Sequence, residues 1–251
     1  MSTTPNGVIS TVSTKDILLA TKLPRKTKSY SPVPHKIVIE SCLEALDKGG
    51  IKLISERYTA AREGRQANGI YHLDGGDSEM NLRLQWQNSY DKSLPLAAAF
   101  GSHVIVCSNG LIVGDMGRFK RKHTGTVLTE FQEQIRTYVD TAAEQFKKMK
   151  HDRERMKEIT LTKRVSAELI GRMFLEDNII TVTQLGIIKR ELDNPSFNYG
   201  TDKDVLAKGG TLWDTYNAVT VSLKEAHPQF NMQSHIDLHN FVAKEYVKEF
   251  A

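Results

Sequence analysis

Between residues 80 and 87, apolar Met80, Leu82, Leu84 and Trp86 alternate with polar Asn81, Arg83, Gln85 and Gln87. A period of two predicts a strand with one dry face and one wet face. Ile51–Thr59 and Ala67–Leu73 precede it as strands joined by a turn at Glu63-Gly64, and Leu94–Phe100, His103–Cys107 and Leu111–Val113 follow. Ser108-Asn109-Gly110 reads as a tight hairpin turn, because Asn-Gly tolerates the positive φ that short hairpins require. Connections this short demand antiparallel neighbours. The pattern therefore predicts a curved antiparallel β-sheet of about five or six strands.

The period then changes. Leu128, Phe131, Ile135, Tyr138, Ala142, Phe146 and Met149 recur every three or four residues, which predicts one long amphipathic helix laid over the dry face of the sheet. From Lys147 that helix becomes mostly charged and should project into solvent. Ahead of the sheet, Val38, Cys42 and Leu46 mark a short helix that opens at Pro34 and stops at Gly49-Gly50. Beyond Lys163 the remaining segments read as helices: Val165–Leu175, Thr183–Leu192, Thr211–Ala226 and His235–Phe250. The fold class expected is α+β, a sheet backed by a long helix and followed by a helical C-terminal part. Three regions follow: a flexible basic arm over 1–32, rich in Ser, Thr, Pro and Lys, a sheet-and-helix core over 33–160, and a helical part over 161–251 packed on the core.

The 251 residues suffice to bury roughly 70–75% of the unfolded surface, so stability needs neither disulfides nor metal. No apolar run is long enough for a bilayer, and the polar start does not read as a secretory signal. Cys42 and Cys107 lie in apolar segments and read as buried, reduced thiols, which points to the cytoplasm. No cofactor is expected.

Net charge is only +4, but its placement changes the picture. Between Asp16 and Glu40 there is no acid, while Lys22, Arg25, Lys26, Lys28 and Lys36 are present. Arg118-Phe119-Lys120-Arg121-Lys122-His123 is likewise free of acids, and Lys147 to Lys157 carries six Lys and Arg against Asp152 and Glu154. Positive runs of this kind suit a polyanion.

Catalytic patterns are weaker. There is no Walker-type loop and no G-x-G-x-x-G. His235 and His239 are four apart on a predicted helix, a spacing two zinc ligands could use, but no third ligand follows and helix packing explains them. Asp74, Asp77 and Glu79 form an acidic turn that matches no known cation loop. His103 and Cys107 share a strand face about 13 Å apart at strand rise, outside the reach of a nucleophile and its base. Val165–Leu175 and Thr181–Leu192 resemble a helix-turn-helix in length, with Gln184, Lys189 and Arg190 as groove-facing candidates. An ordinary helical hairpin has the same appearance.

The loop Gly117–Gly125 carries the leading expectation. Cationic side chains around Phe119 offer phosphate contacts and an aromatic face for base stacking, as in single-strand binding sites. Arg118, Phe119, Lys120, Arg121 and Lys122 form the expected nucleic-acid contacts, extended by Lys147, Lys150 and Arg153 and by Arg83 on the wet sheet face.

Asn88-Ser-Tyr-Asp-Lys-Ser93, Phe100-Gly101, Val106-Cys-Ser-Asn-Gly-Leu111 and Trp213-Asp-Thr-Tyr-Asn-Ala-Val-Thr220 together resemble a phage/plasmid-like family known as domain of unknown function 932, over about Ile51 to His227. Lys92 stands where the family pattern has glycine. The resemblance implies a mobile-element origin and transfers no catalytic residues. The order of elements is also similar to the core of single-strand annealing proteins, which form rings with DNA in a basic groove. The reading is a non-enzymatic protein that binds single-stranded nucleic acid in replication, recombination or DNA transfer, as a homo-oligomer and away from membranes. The alternative is a factor that binds a host or phage protein, either a host-defence antagonist or a virion component.

Overall fold

The computed structural model describes residues 11–12, 15–104, 109–111, 118–224 and 228–247. The chain is α+β. Its strands are β1 (Thr11–Val12), β2 (Leu53–Ala61), β3 (Gln66–Leu73), β4 (Met80–Ser89), β5 (Leu96–Val104), β6 (Asn109–Leu111) and β7 (Arg118–Arg121). They form one sheet in the order β1-β2-β3-β4-β5-β6, with β7 also paired to β5. The helices are α1 (Lys15–Ala20), α2 (His35–Lys48), α3 (Val127–Asp140), α4 (Ala142–Glu158), α5 (Lys163–Leu175), α6 (Val182–Asp193), α7 (Lys203–Lys208), α8 (Leu212–Leu223) and α9 (Pro228–Val242), the last continuing into a π-helical turn at Ala243–Val247. Among the described residues no helix is long and apolar enough to cross a membrane.

The described residues fall into two compact units, one drawn from Met1–Gly76, Leu82–Phe100 and Gly117–Ala143, the other from Asp77–Asn81, Gly101–Met116 and Glu144–Ala251. In the first, antiparallel register brings Ala67 beside Asn88, Gly69 beside Trp86, Tyr71 beside Leu84 and Leu73 beside Leu82. Because pairs in register share a face, Tyr71, Leu73, Leu82, Leu84 and Trp86 form one apolar layer, and all are buried. Cys42 of α2 lies near enough to act on the ionisation of Tyr58 and Tyr71, which puts α2 on this layer. α3 packs beside α2, with Gln132 donating to the Ser41 hydroxyl at 3.0 Å. Gly69 has a packing reason: a Cβ there would meet the Trp86 indole at 2.3 Å.

Part of the expected mobile arm is built in. Thr11–Val12 pairs with β2, and Leu18 of α1 and Tyr30 are buried. The Tyr30 hydroxyl donates to the Ser89 carbonyl at 3.3 Å. Apolar side chains spaced through a polar stretch are enough to fasten it.

Strand boundaries also shift. β5 joins the expected Leu94–Phe100 and His103–Cys107 strands through Gly101 and Ser102 as far as Val104. Asn109 and Gly110 are ladder residues paired with Val104 and His103, whereas Ser108, Cys107 and Val113 lie outside the described residues.

The single long helix expected over Leu128–Met149 is two helices. Thr141 ends α3, its amide and its hydroxyl both donating to the Thr137 carbonyl at 3.0 and 2.7 Å. In the second unit α4 buries Gln145, Met149, Asp152, Arg153 and Met156, one face at helical spacing, so its charged last third does not simply project into solvent. α8 is buried almost throughout and is fixed at its start by a capping box, Thr211 and Asp214 each accepting from the other's backbone amide.

Candidate nucleic-acid interface

The segment expected to be a basic loop is a strand. β7 pairs with β5, placing Phe119 opposite Ala98, Lys120 opposite Ala97 and Arg121 opposite Leu96. Phe119 is only 5% exposed and meets Phe131 of α3 edge to face, with ring centroids 5.6 Å apart. It therefore offers no face for base stacking. Strand alternation explains the correction: a residue flanked by cations on a two-residue period is the one that points inward. Lys120 then lies on the opposite, polar side of the sheet. Arg121, 67% exposed, forms an ion pair with Glu130 of α3 at 3.2 Å. Lys120 and Lys122 are exposed and have no acidic partner among the described residues. Arg118 is the first residue of β7, paired with Ala99.

A buried network holds the far end of this cationic stretch. Asn88 donates through Nδ2 to the Val33 carbonyl at 2.8 Å and to His35 Nδ1 at 3.0 Å. Its Oδ1 accepts from His123 Nε2 at 2.7 Å. His35 in turn meets the Gly64 carbonyl through Nε2 at 2.9 Å and stacks on Tyr90, rings 3.9 Å apart. Burial holds the His35 imidazole down at about 4, with His123 adding to that effect and the Gly64 hydrogen bond opposing it. Burial likewise lowers His123. Both rings are therefore neutral near neutrality, in the tautomers the network requires. Lys120, Arg121 and Lys122 are thus carried between two buried anchors, Phe119 and His123.

The other expected contacts are used differently. Arg153, 3% exposed, places two guanidinium nitrogens on the Asp77 carboxylate, each at 3.0 Å, and also pairs with Glu79 and Glu154. It is committed to its own unit, and its charge is not available to phosphate. Burial opposes the charged form of Asp77, but hydrogen bonds from Arg153 and from the Glu79 and Met80 amides outweigh it and hold the carboxyl at about 2. Lys157 joins Glu79 at 2.5 Å. Asp77 and Glu79 of the acidic turn are therefore occupied by cations of α4. Lys150 is half exposed, 3.8 Å from Asp77, and Lys147 is exposed.

Arg83 does lie on the polar sheet face, but that face is not wet at this position: Arg83 is 6% exposed. Its Nη2 donates to Gln85 Oε1 at 2.7 Å, and its buried Nε has no partner. Register sets His72 beside Arg83 and sets Ile70, next along β3, between Gln85 and Arg57. Burial, and then Arg57, pull the Arg83 guanidinium down to about 10, which leaves it charged at neutral pH. Arg57 and His72 were not among the expected contacts. The signal was present in the alternation of β2 and β3, which puts Arg57, His72 and Arg83 on one face.

Gln184, a groove-facing candidate, is buried and accepts the Thr181 amide at 2.6 Å at the start of α6. Lys189 pairs with Asp193. His239 sits 3.4 Å from Asp152, both nearly sealed, and no His, Cys, Asp and Glu group among the described residues is arranged to hold a metal. Cys42 is fully buried, which raises its thiol well above the ordinary range. Cys107 lies outside the described residues.

A family model described as Domain of unknown function (DUF932) matches residues 22–240. No curated protein and no solved structure matches the chain.

Proposed function

The chain belongs to the DUF932 family, and from that premise we propose that it binds single-stranded nucleic acid through phosphate contacts made by β7 and its extension. The observation that carries this reading is the run Lys120-Arg121-Lys122, exposed and contiguous between buried Phe119 and His123. Anchoring two flanking residues reduces the entropy lost when the cations engage phosphate. Counterion release then supplies most of the affinity. Every described aromatic residue of this unit is buried, so binding is sequence-independent backbone recognition with little base stacking. Reading a duplex groove calls for exposed side chains on an inserted helix; α6 buries Gln184 and pairs Lys189 with Asp193, leaving Arg190 exposed. Lys147 and Lys150 are secondary candidates, and Arg153 is withdrawn. The biological setting we propose is replication, recombination or transfer of a phage or plasmid genome, in the host cytoplasm and without catalysis by this chain.

The test is fluorescence anisotropy of labelled single-stranded and duplex DNA across a salt series, for the native chain and for K120A/R121A/K122A. The native chain should bind single strands more tightly and lose affinity steeply with salt, and the triple variant should show a shallower slope.

A second reading has its own observation. Leu175 at the end of α5 and Val182 at the start of α6 are 74% and 72% exposed, and exposed apolar side chains suit a protein partner. Under this reading the chain shows no nucleic-acid affinity at physiological salt. It instead forms a stoichiometric complex with a host or phage protein, and V182D abolishes that complex.

A further inference from the structure

Among the described residues Arg83 is a buried cation without an anion. Its side chain is 6% exposed, its one hydrogen bond goes to the neutral Gln85 amide, and its Nε is sealed with no partner. Neither Arg83 nor Arg57 has a carboxylate partner among the described residues. Burying an uncompensated charge is expensive, and folded chains ordinarily pair such a group or hand it a ligand. Arg153 shows the ordinary solution in this same chain, with three carboxylates around one buried guanidinium.

The surroundings of Arg83 are suited to an anion. Ser55, His72 and Arg83 lie in one cross-strand row, and Arg57, Ile70 and Gln85 in the next. The only acid on β2, Glu56, is on the opposite face by alternation, where the Tyr58 hydroxyl reaches it at 2.6 Å. Exposure is graded along these rows: Ser55 and Arg57 are exposed, His72 is half-buried, and Arg83 and Gln85 are buried. The rows thus run from solvent to a buried guanidinium, with hydrogen-bond donors along the way. A guanidinium's planar fork matches the oxygens of a tetrahedral oxyanion.

We propose that Arg83, Arg57 and His72 form a binding site for a phosphate-class oxyanion on the polar face of the β2–β4 sheet. The inference deepens the nucleic-acid reading but uses residues that reading does not, so the two fail separately. The phosphate comes from one of two sources, a free anion or the backbone of a bound strand.

The test titrates the full chain with inorganic phosphate, at ionic strength matched with chloride, while following the Arg83 Nε–H and His72 imidazole signals by NMR. Saturable shifts of both signals, with the Nε–H moving downfield as it gains an acceptor, are expected. R57A, at an exposed position that should leave folding intact, should weaken phosphate binding by about tenfold, the scale of one charge-assisted contact. R83M should abolish it. If R83M does not fold, the R57A comparison and the wild-type Nε–H shift decide. An oligonucleotide arm assigns the source: displacement of phosphate by DNA means that the site takes the strand's backbone, and unchanged phosphate binding in its presence means a free anion. Absence of saturable shifts in the wild type, or equal affinity in R57A, overturns the site. K120A/R121A/K122A should retain phosphate binding, and a loss there would show the shifts to be nonspecific charge screening and overturn the site as well.

Discussion

At the residue scale the molecule contrasts two buried guanidinium groups. Arg153 is surrounded by Asp77, Glu79 and Glu154, so R153M should destabilise the chain by about 3 kcal/mol, because it strands a carboxylate built to meet a charge. Chemical denaturation measures this as a lower midpoint with an unchanged slope. Arg83 has no such partners among the described residues, and R83M should cost less than R153M in phosphate-free buffer. Larger destabilisation by R83M would argue for a structural role. The imidazoles make a third residue-scale prediction. Above pH 6.5 neither the folded nor the unfolded chain protonates His35. Below it the unfolded ring takes a proton that the folded ring, held down at about 4, refuses. Stability from this group is therefore fully present above 6.5 and falls by about 3 kcal/mol as pH drops toward 4, with His123 adding in the same direction. His35→Gln should flatten that part of the stability profile, and an unchanged profile would contradict the network.

At the element scale, the alternation over Met80–Gln87 foretold β4 and its two faces, and the i, i+4 pattern over Val38–Leu46 foretold α2. What periodicity could not provide was depth. Arg83 alternates as a wet residue should, yet it is buried, because burial depends on what packs over a face and not on the strand that presents it. Phe119 was misassigned for the opposite reason: a dense run of charge resembled a loop and hid a four-residue strand whose one apolar side chain points to α3. The break at Thr141 was equally hidden, since apolar spacing continues through it. The β3–β4 pair yields a prediction of its own. Gly69 faces Trp86 so closely that G69A forces the indole to move, and overpacking of this kind should cost about 2 kcal/mol. Thermal unfolding of G69A should show the loss, whereas an unchanged midpoint would mean that the indole is free to shift.

At the scale of the whole molecule, a net charge of +4 conceals a division of labour. Lys150, Arg153 and Lys157 of α4 are spent on Asp77 and Glu79 in the same unit, while Lys120 and Lys122 of β7 and its extension have no acidic partner among the described residues. Charge counted along the sequence does not separate these cases, and the pairing partners do. The family match over residues 22–240 spans this arrangement without assigning it an activity, so the functional claim rests on Lys120 and Lys122, cations with no acidic partner among the described residues. The most direct test is the salt dependence of single-stranded DNA binding in K120A/R121A/K122A against the native chain. Each lost phosphate contact lowers the slope of log affinity against log salt by about 0.7 for a single strand. The account predicts a native slope that is steep and a variant slope lower by about 1.4 to 2.1, corresponding to two or three contacts. Equal slopes and equal affinities in the two proteins would contradict it.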